Sequence, residues 1–141
     1  MSRKFPENLL TGYLFIDRQH QELYARIDDL LETLKDGASK EKILEVLRYL
    51  DEYTIVHFDF EETAMEMHRY PQRFDHAASH MALRDGVATL MKEVQESQGA
   101  TPELREACQR IVVDALLKHI AEHDMLLAPF LAEKNPEGSN L

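Results

Sequence analysis

The stretch His57-Phe-Asp-Phe-Glu61, resumed as His76-Ala-Ala-Ser-His80, decides the fold of this 141-residue chain. Residues four positions apart on a helix lie one turn above each other and about 40° apart around the axis. Each pair can therefore present two side chains to one point. Pro71 stands between the two pairs, and a proline there indicates that one helix ends and another begins.

Both pairs fall on the apolar stripe of their helix. The stripe before the proline comprises Leu47, Leu50, Thr54, His57, Glu61 and Ala64, and the one after it comprises His76, His80, Leu83, Val87, Leu90 and Val94. Spacings that alternate between three and four are typical of the core-facing side of a bundle helix. Buried imidazoles and carboxylates are costly unless they are paired or bind a metal. The pattern thus predicts a polar cluster in the core, and the cost of burying it must be offset by pairing or by a bound metal.

Start and stop signals predict four helices and two irregular ends. The first helix is expected from an N-cap at Asp17 to Asp36-Gly37, the second from Ser39 to about His68, the third from about 72–74 to Gln98-Gly99, and the fourth from Thr101-Pro102 to about Lys134. Residues 1–16 are expected to form an arm without regular structure, and residues 135–141 a short tail of the same single domain, 1–141. Four long helices with short connections predict an all-α, up-down-up-down four-helix bundle.

Histidines also stand on the inward faces of the first and fourth helices. The first stripe is Ile16, His20, Leu23, Ile27, Leu30 and Leu34, and the fourth includes Leu104, Cys108, Ile111, Ala115, His119 and Leu127. Seven candidate ligands then converge in the core. The partner of His119 is open, because α-helical spacing favours His123 whereas a one-residue π-type widening would bring Asp124 round instead.

Composition excludes several classes of function. Sixteen Lys and Arg against 26 Asp and Glu give a net charge of −10, which argues against nucleic acid or an anionic membrane as a partner. The single cysteine, Cys108, cannot form an internal disulfide and fits a reducing compartment. No run approaches membrane-spanning length, and no apolar signal segment follows the N-terminus. We expect a cytoplasmic protein without membrane insertion, of open oligomeric state, in which Glu62 and Glu122 are solvated surface acids.

The combined motifs resemble the hemerythrin family over nearly the whole chain. They are His20, His57-x-x-x-Glu61, His76-x-x-x-His80 and His119-x-x-x-x-Asp124, together with the phrases Thr-Gly-Tyr-Leu-Phe-Ile-Asp-Arg-Gln-His and Leu-Lys-His-Ile-Ala-Glu-His-Asp. A ferritin-like diiron protein, which needs Glu-x-x-His motifs, does not fit, because the chain has none.

The resemblance implies a centre of two non-haem iron ions joined by an oxo or hydroxo bridge. It assigns His76, His80 and His119 to one iron, His20 and His57 to the other, and Glu61 and Asp124 as bridges between them. One coordination position then stays open for dioxygen. Imidazole and carboxylate ligands suit iron.

The resemblance also implies a dioxygen pocket formed by Leu23, Phe58, Ala115, Leu116 and Ile120. A tryptophan usually stands at the place of Ala115, and this chain has no tryptophan, so the pocket is expected to be larger or wetter than usual.

The function expected from the resemblance is reversible dioxygen binding, for carriage, storage or delivery to an oxygen-consuming partner protein. This is binding and not catalysis, so no catalytic residue is assigned. The alternatives are an enzyme that turns over peroxide or nitric oxide at the same site, and an oxygen or redox sensor module. About seven residues follow the fourth helix, so we expect no output domain within these 141 residues, which weakens the sensor alternative; a longer chain would restore it.

Overall fold

The computed structural model describes residues 5–135 and consists of a short 3-10 turn and four long helices. The turn is Glu7–Leu9, α1 is Leu14–Lys35, α2 is Lys40–Met67, α3 is Arg73–Glu96, and α4 spans residues 102–134. Consecutive helices pack against each other, and the described part of the chain contains no strand. The predicted all-α four-helix bundle is confirmed. Residues 1–4 of the predicted arm and 136–141 of the predicted tail lie outside the described residues.

α4 alternates between two kinds of helix. It is α-helical over Pro102–Cys108, Ala115–His119 and Met125–Lys134, and it widens to a π-helix over Gln109–Asp114 and over Ile120–Asp124. A π turn accommodates one more residue than an α turn, so the residues that follow it are rotated around the helix axis. Side chains beyond each widening therefore face another direction than α-helical spacing predicts.

The first widening changes the inward face of α4. Ile111 and Ala115, both predicted to point into the core, are half-buried and pack against it, whereas Val112, Val113 and Leu116 are fully buried. The extra residue in the π turn advances the apolar stripe by one position. Ile111 and Ala115 therefore lie at the edge of the inward face and not at its centre.

The start of α1 also differs from the prediction. The helix begins at Leu14 with Tyr13 as its N-cap, so the last three residues of the predicted arm are helical. Asp17 lies inside the first turn, where its carboxylate accepts hydrogen bonds from the backbone amides of Thr11 at 2.8 Å and Gly12 at 3.0 Å. Asp17 thus binds the segment before the helix instead of capping it, because its side chain folds back toward free amide groups.

Two other caps are confirmed. The Ser39 hydroxyl accepts a hydrogen bond from the amide of Lys42, and the Thr101 hydroxyl accepts one from the amide of Leu104. Pro102 occupies the first position of α4, where its missing amide hydrogen costs nothing. Residues within one turn of each helix start therefore determine where these two helices begin.

The core has two apolar clusters separated by a polar layer. The smaller cluster consists of Tyr13, Ile16, Met65, Tyr70, Leu127, Ala128 and Leu131. The larger one fills the rest of the bundle, and Leu23, Phe58 and Ile120 are among its members. Along α1, α2 and α4, buried polar residues lie between the two clusters, so the polar layer is enclosed by apolar side chains at both ends. None of the helices in the range 5–135 is long and apolar enough to cross a lipid bilayer.

Candidate metal centre

The polar layer contains all seven residues predicted as ligands. They are His20 from α1, His57 and Glu61 from α2, His76 and His80 from α3, and His119 and Asp124 from α4, each no more than 2% exposed. All four helices contribute because each has polar residues on its core-facing side at the same level along the bundle axis. The structure brings the seven together, and their role as iron ligands stays a prediction.

The seven residues form two overlapping groups. One group is Glu61, His76, His80, His119 and Asp124, and the other is His20, His57, Glu61 and Asp124. Within each group the potential ligand atoms lie within 4.8 Å of one another. The two carboxylates belong to both groups. This arrangement has the form of two adjacent cation sites that share two carboxylates.

The second π-helical widening decides between Asp124 and His123. Asp124 is fully buried, with Oδ2 at 2.7 Å from His20 Nε2 and Oδ1 at 2.9 Å from His76 Nε2. His123 is half-buried on the outer side of the cluster, where its ring stacks on that of His119 at 5.2 Å. The widening over Ile120–Asp124 thus rotates the carboxylate inward and the neighbouring imidazole outward.

Several buried nitrogen and oxygen atoms of the layer make no hydrogen bond, although they lie close to other polar atoms of the layer. His119 Nε2 and Asp124 Oδ1 are 3.2 Å apart, yet neither makes a hydrogen bond. His57 Nε2 and Glu61 Oε2 are also buried without a hydrogen-bond partner in the described structure. A buried polar atom left unsatisfied costs roughly 1–3 kcal/mol. Cations among these nitrogen and oxygen lone pairs would satisfy them together, so the residues fit a metal centre.

Two of the imidazoles, those of His57 and His80, have the protonation state that metal binding requires. Burial lowers the pKa of His57 to about 4, with help from the neighbouring His20 and His119 and against the opposing effect of Asp124. Burial, with help from His119 and His76, lowers the pKa of His80 to about 2. Both rings are therefore neutral at neutral pH, with a lone pair free for a cation.

The two carboxyl groups have opposite pKa shifts. Burial, followed by the charge of Asp124, raises the pKa of Glu61 well above its usual value. Burial alone would raise the pKa of Asp124 too, but the close imidazoles of His119 and His20 hold it well below its usual value. In the metal-free cluster Asp124 therefore ionises more readily than Glu61, and cation binding competes with proton binding at Glu61.

Three residues that the sequence analysis did not single out form hydrogen bonds with Nδ1 of cluster histidines, the ring nitrogen here called the outer nitrogen. Gln19 Oε1 lies 2.6 Å from Nδ1 of His57, Ser79 Oγ lies 2.6 Å from Nδ1 of His119, and Glu62 Oε2 lies 3.0 Å from Nδ1 of His80. Glu62 is therefore not simply a solvated surface acid, because the ring of His80 turns its outer nitrogen toward it. The one available signal was chemical, since metal-binding histidines usually donate their second N–H to a nearby acceptor.

Four of the five residues predicted to form the dioxygen pocket are buried beside the cluster. Leu23, Phe58, Leu116 and Ile120 belong to the larger apolar cluster, and an apolar cavity of about 20 Å³ borders Phe58 and Leu116. The Phe58 ring also stacks on His80, with ring centres 3.8 Å apart. Their role in holding dioxygen stays a prediction.

Ala115 packs against the same apolar cluster but is more exposed than these four residues. It is half-buried and lines a surface groove of about 410 Å³ between α3 and α4. Ser79 and His119 also line this groove, together with Gly86, so it extends from solvent to a residue of the cluster. The small side chain of Ala115 therefore leaves the groove wide on its way from solvent to His119.

Comparison with known proteins agrees with this geometry. Residues 11–131, which include all seven cluster residues, match the hemerythrin HHE cation binding domain. The bacteriohemerythrin of Methylococcus capsulatus is 30% identical over 122 residues, which cover 86% of this chain and 90% of that protein. The bacteriohemerythrin of Pseudomonas paraeruginosa is 31% identical over 118 residues, which cover 84% of this chain and 74% of that protein.

A solved structure shows the same architecture. The crystal structure of a leucine-to-phenylalanine mutant aligns with a TM-score of 0.79 at 27% identity, over 92% of this chain and 97% of the other. The match to the cation-binding domain extends over most of the chain and contains the complete buried His, Glu and Asp cluster. The chain belongs to the hemerythrin family.

Proposed function

We propose that this protein binds dioxygen reversibly at a non-haem diiron centre, for oxygen carriage, storage or delivery. The observation that carries the proposal is the pair of overlapping donor groups that share Glu61 and Asp124. Membership of a cation-binding family supports it. The buried donor atoms without hydrogen-bond partners support it independently, because they need a compensating charge.

The two groups offer different numbers of ligands. Three histidines, His76, His80 and His119, would hold one iron, and only His20 and His57 would hold the other, with both carboxylates shared. The second iron therefore has one protein ligand fewer. When bound, the iron pair supplies the electrons and the open position that dioxygen binding requires.

The surrounding residues control what can reach the centre. Leu23, Phe58, Leu116 and Ile120 pack beside the layer without polar side-chain atoms, so they offer no hydrogen-bond partner to water there. A dry surrounding limits solvent exchange and side reactions at a metal centre. The two carboxylates offset part of the cation charge, and the neutral imidazoles add ligands without adding charge.

The test of this proposal is iron content combined with reversible oxygenation. We expect about two iron ions per chain in iron-replete protein, because seven buried ligands suit two centres better than one. After anaerobic reduction, air should produce an oxygenated absorption spectrum that disappears on deoxygenation. Protein that held one tightly bound zinc ion and no iron would contradict the diiron proposal, and irreversible oxidation without an oxygenated spectrum would contradict reversible binding.

The groove beside Ala115 favours a second candidate function, the turnover of peroxide or nitric oxide at the same centre. The groove connects solvent with Ser79 and His119 through a volume of about 410 Å³. Small polar molecules could approach the cluster by this route, and their access would promote reaction over storage. The groove is the observation that separates the enzymatic alternative from simple carriage.

Replacing Ala115 with tryptophan tests this alternative. The larger ring should fill the groove, slow the decay of the oxygenated form several-fold, and weaken any peroxidase activity, provided that it fits without overpacking. The decay rate is measured by absorption at matched iron content. The control is Ala88→Trp, at an exposed position of α3 that lines another groove, with Met81 and Arg84. Equal decay rates in Ala115→Trp and wild type would remove the support for the enzymatic alternative.

A further inference from the structure

The outer ring nitrogens of the cluster differ in their hydrogen-bond partners. His57 bonds the neutral amide of Gln19, His119 bonds the neutral hydroxyl of Ser79, and His80 bonds the carboxylate of Glu62. In the described part of the chain, Nδ1 of His20 and of His76 has no partner. Within residues 5–135, Glu62 is therefore the one charged group bonded to an outer nitrogen of these rings.

His80 is held on three sides by residues of α2. Its Nε2 lies 3.0 Å from Glu61 Oε1, and its Nδ1 lies 3.0 Å from Glu62 Oε2. The Phe58 ring stacks on its face, with planes inclined by 12°. Two consecutive glutamates thus bond the two nitrogens of one imidazole, the first fully buried and the second with 44% of its side chain exposed. The orientation of His80 is fixed as a result.

We propose that Glu62 is a positioning residue that fixes the Nδ1–H tautomer of His80 and strengthens its Nε2 as an iron ligand through a charge-assisted hydrogen bond. This inference rests on the diiron function proposed above. A carboxylate that accepts the outer N–H of a metal-binding histidine orients the ring and raises its basicity. A more basic imidazole nitrogen stabilises oxidised iron more than reduced iron. The carboxylate of Glu62 should therefore lower the reduction potential of the iron centre.

The charge of Glu62 distinguishes it from Gln19 and Ser79. The bonds of those two residues are shorter, at 2.6 Å, but their acceptors carry no charge. Hydrogen bonds to an ionised acceptor are roughly twice as strong as neutral ones. Glu62 is also exposed at the surface, so it can be changed without opening the core. The carboxylate of Glu62 thus contacts solvent and also bonds the buried ring of His80.

The experiment uses three variants and three independent measurements. Glu62→Gln keeps an acceptor and removes the charge, Glu62→Ala removes both, and Glu66→Gln makes the same charge change one turn further along α2, where the residue pairs with Arg73 instead. In metal-free protein, ¹⁵N NMR reports the tautomer of His80. In iron-loaded protein, chelator competition gives the iron affinity, and redox titration gives the potential.

We expect Glu62→Gln to keep the tautomer and raise the reduction potential, and Glu62→Ala to lose the tautomer preference and bind iron roughly tenfold more weakly. Glu66→Gln should match the wild type in all three quantities. An unchanged tautomer in Glu62→Ala, or equal potentials in Glu62→Gln and Glu66→Gln, would overturn the role of Glu62. Wild-type protein that bound no iron would overturn the diiron function, and the tautomer measurement on metal-free protein would then still decide whether Glu62 positions His80.

Discussion

Replacing Asp124 with alanine is expected to abolish stable iron binding, whereas replacing the adjacent His123 should leave it intact. Asp124 belongs to both donor groups and lies within 2.9 Å of His20 and His76, so its loss weakens both cation sites together. Since loss of a supporting partner alone costs about 10–100-fold in metal affinity, loss of this direct and shared ligand should cost more than about 100-fold.

Iron per chain after gel filtration in the presence of a chelator measures this effect, and circular dichroism verifies that both variants keep their helices. The two substitutions are matched, because they affect neighbouring positions of one π-helical turn. Iron loss in His123→Ala with retention in Asp124→Ala would show that α-helical spacing, and not the widening, determines which side chain faces the centre.

Removal of the metal is expected to lower the unfolding temperature by about 10 °C. A ligand present at about 1,000 times its dissociation constant stabilises the native state by roughly 4 kcal/mol, and each kcal/mol corresponds to about 2–4 °C in a chain of this size. The physical cause is the polar layer itself. Without a cation, buried atoms such as His119 Nε2 and Asp124 Oδ1 have no partner in the described structure, and their lost hydration is not compensated.

Thermal unfolding followed by circular dichroism, with and without bound iron, measures the shift. Asp124→Ala is the matched control, and addition of iron should not raise its unfolding temperature. Equal unfolding temperatures for the loaded and metal-free wild type would mean that the layer is already compensated within the protein.

Local signals in the sequence predicted most of the fold. The caps at Ser39 and Thr101 and the proline at 102 depend on residues within one turn, so they could be recognised directly. The polar positions on all four apolar stripes predicted a shared core cluster, and the structure brings those residues together. Both inferences needed only helical periodicity and the cost of burying polar groups.

The remaining differences arise where contacts between helices decide the outcome. A π turn and an α turn are close alternatives for the same residues. The first widening, which buries Val112 and Leu116 more deeply than Ile111 and Ala115, therefore has no clear signature in the sequence. The partner of His80 depends on how its ring is rotated against another helix, and spacing along one helix cannot specify that rotation. For this reason Glu62 resembled an ordinary surface acid until the packing of α2 against α3 was known.

The contribution of every helix to one layer has a kinetic consequence. His20 and Asp124 are 104 positions apart in the chain and 2.7 Å apart in space, and four of the other five cluster residues lie on the two helices between them. In many proteins, single helices open and close independently of global unfolding. Here the departure of any one helix would remove ligands from a bound metal, so partial opening of a single helix becomes as costly as breaking the centre. Dissociation of the metal and global unfolding would then have the same rate-limiting step. The half-life of the metal-loaded protein would be set by the rate constant of that step.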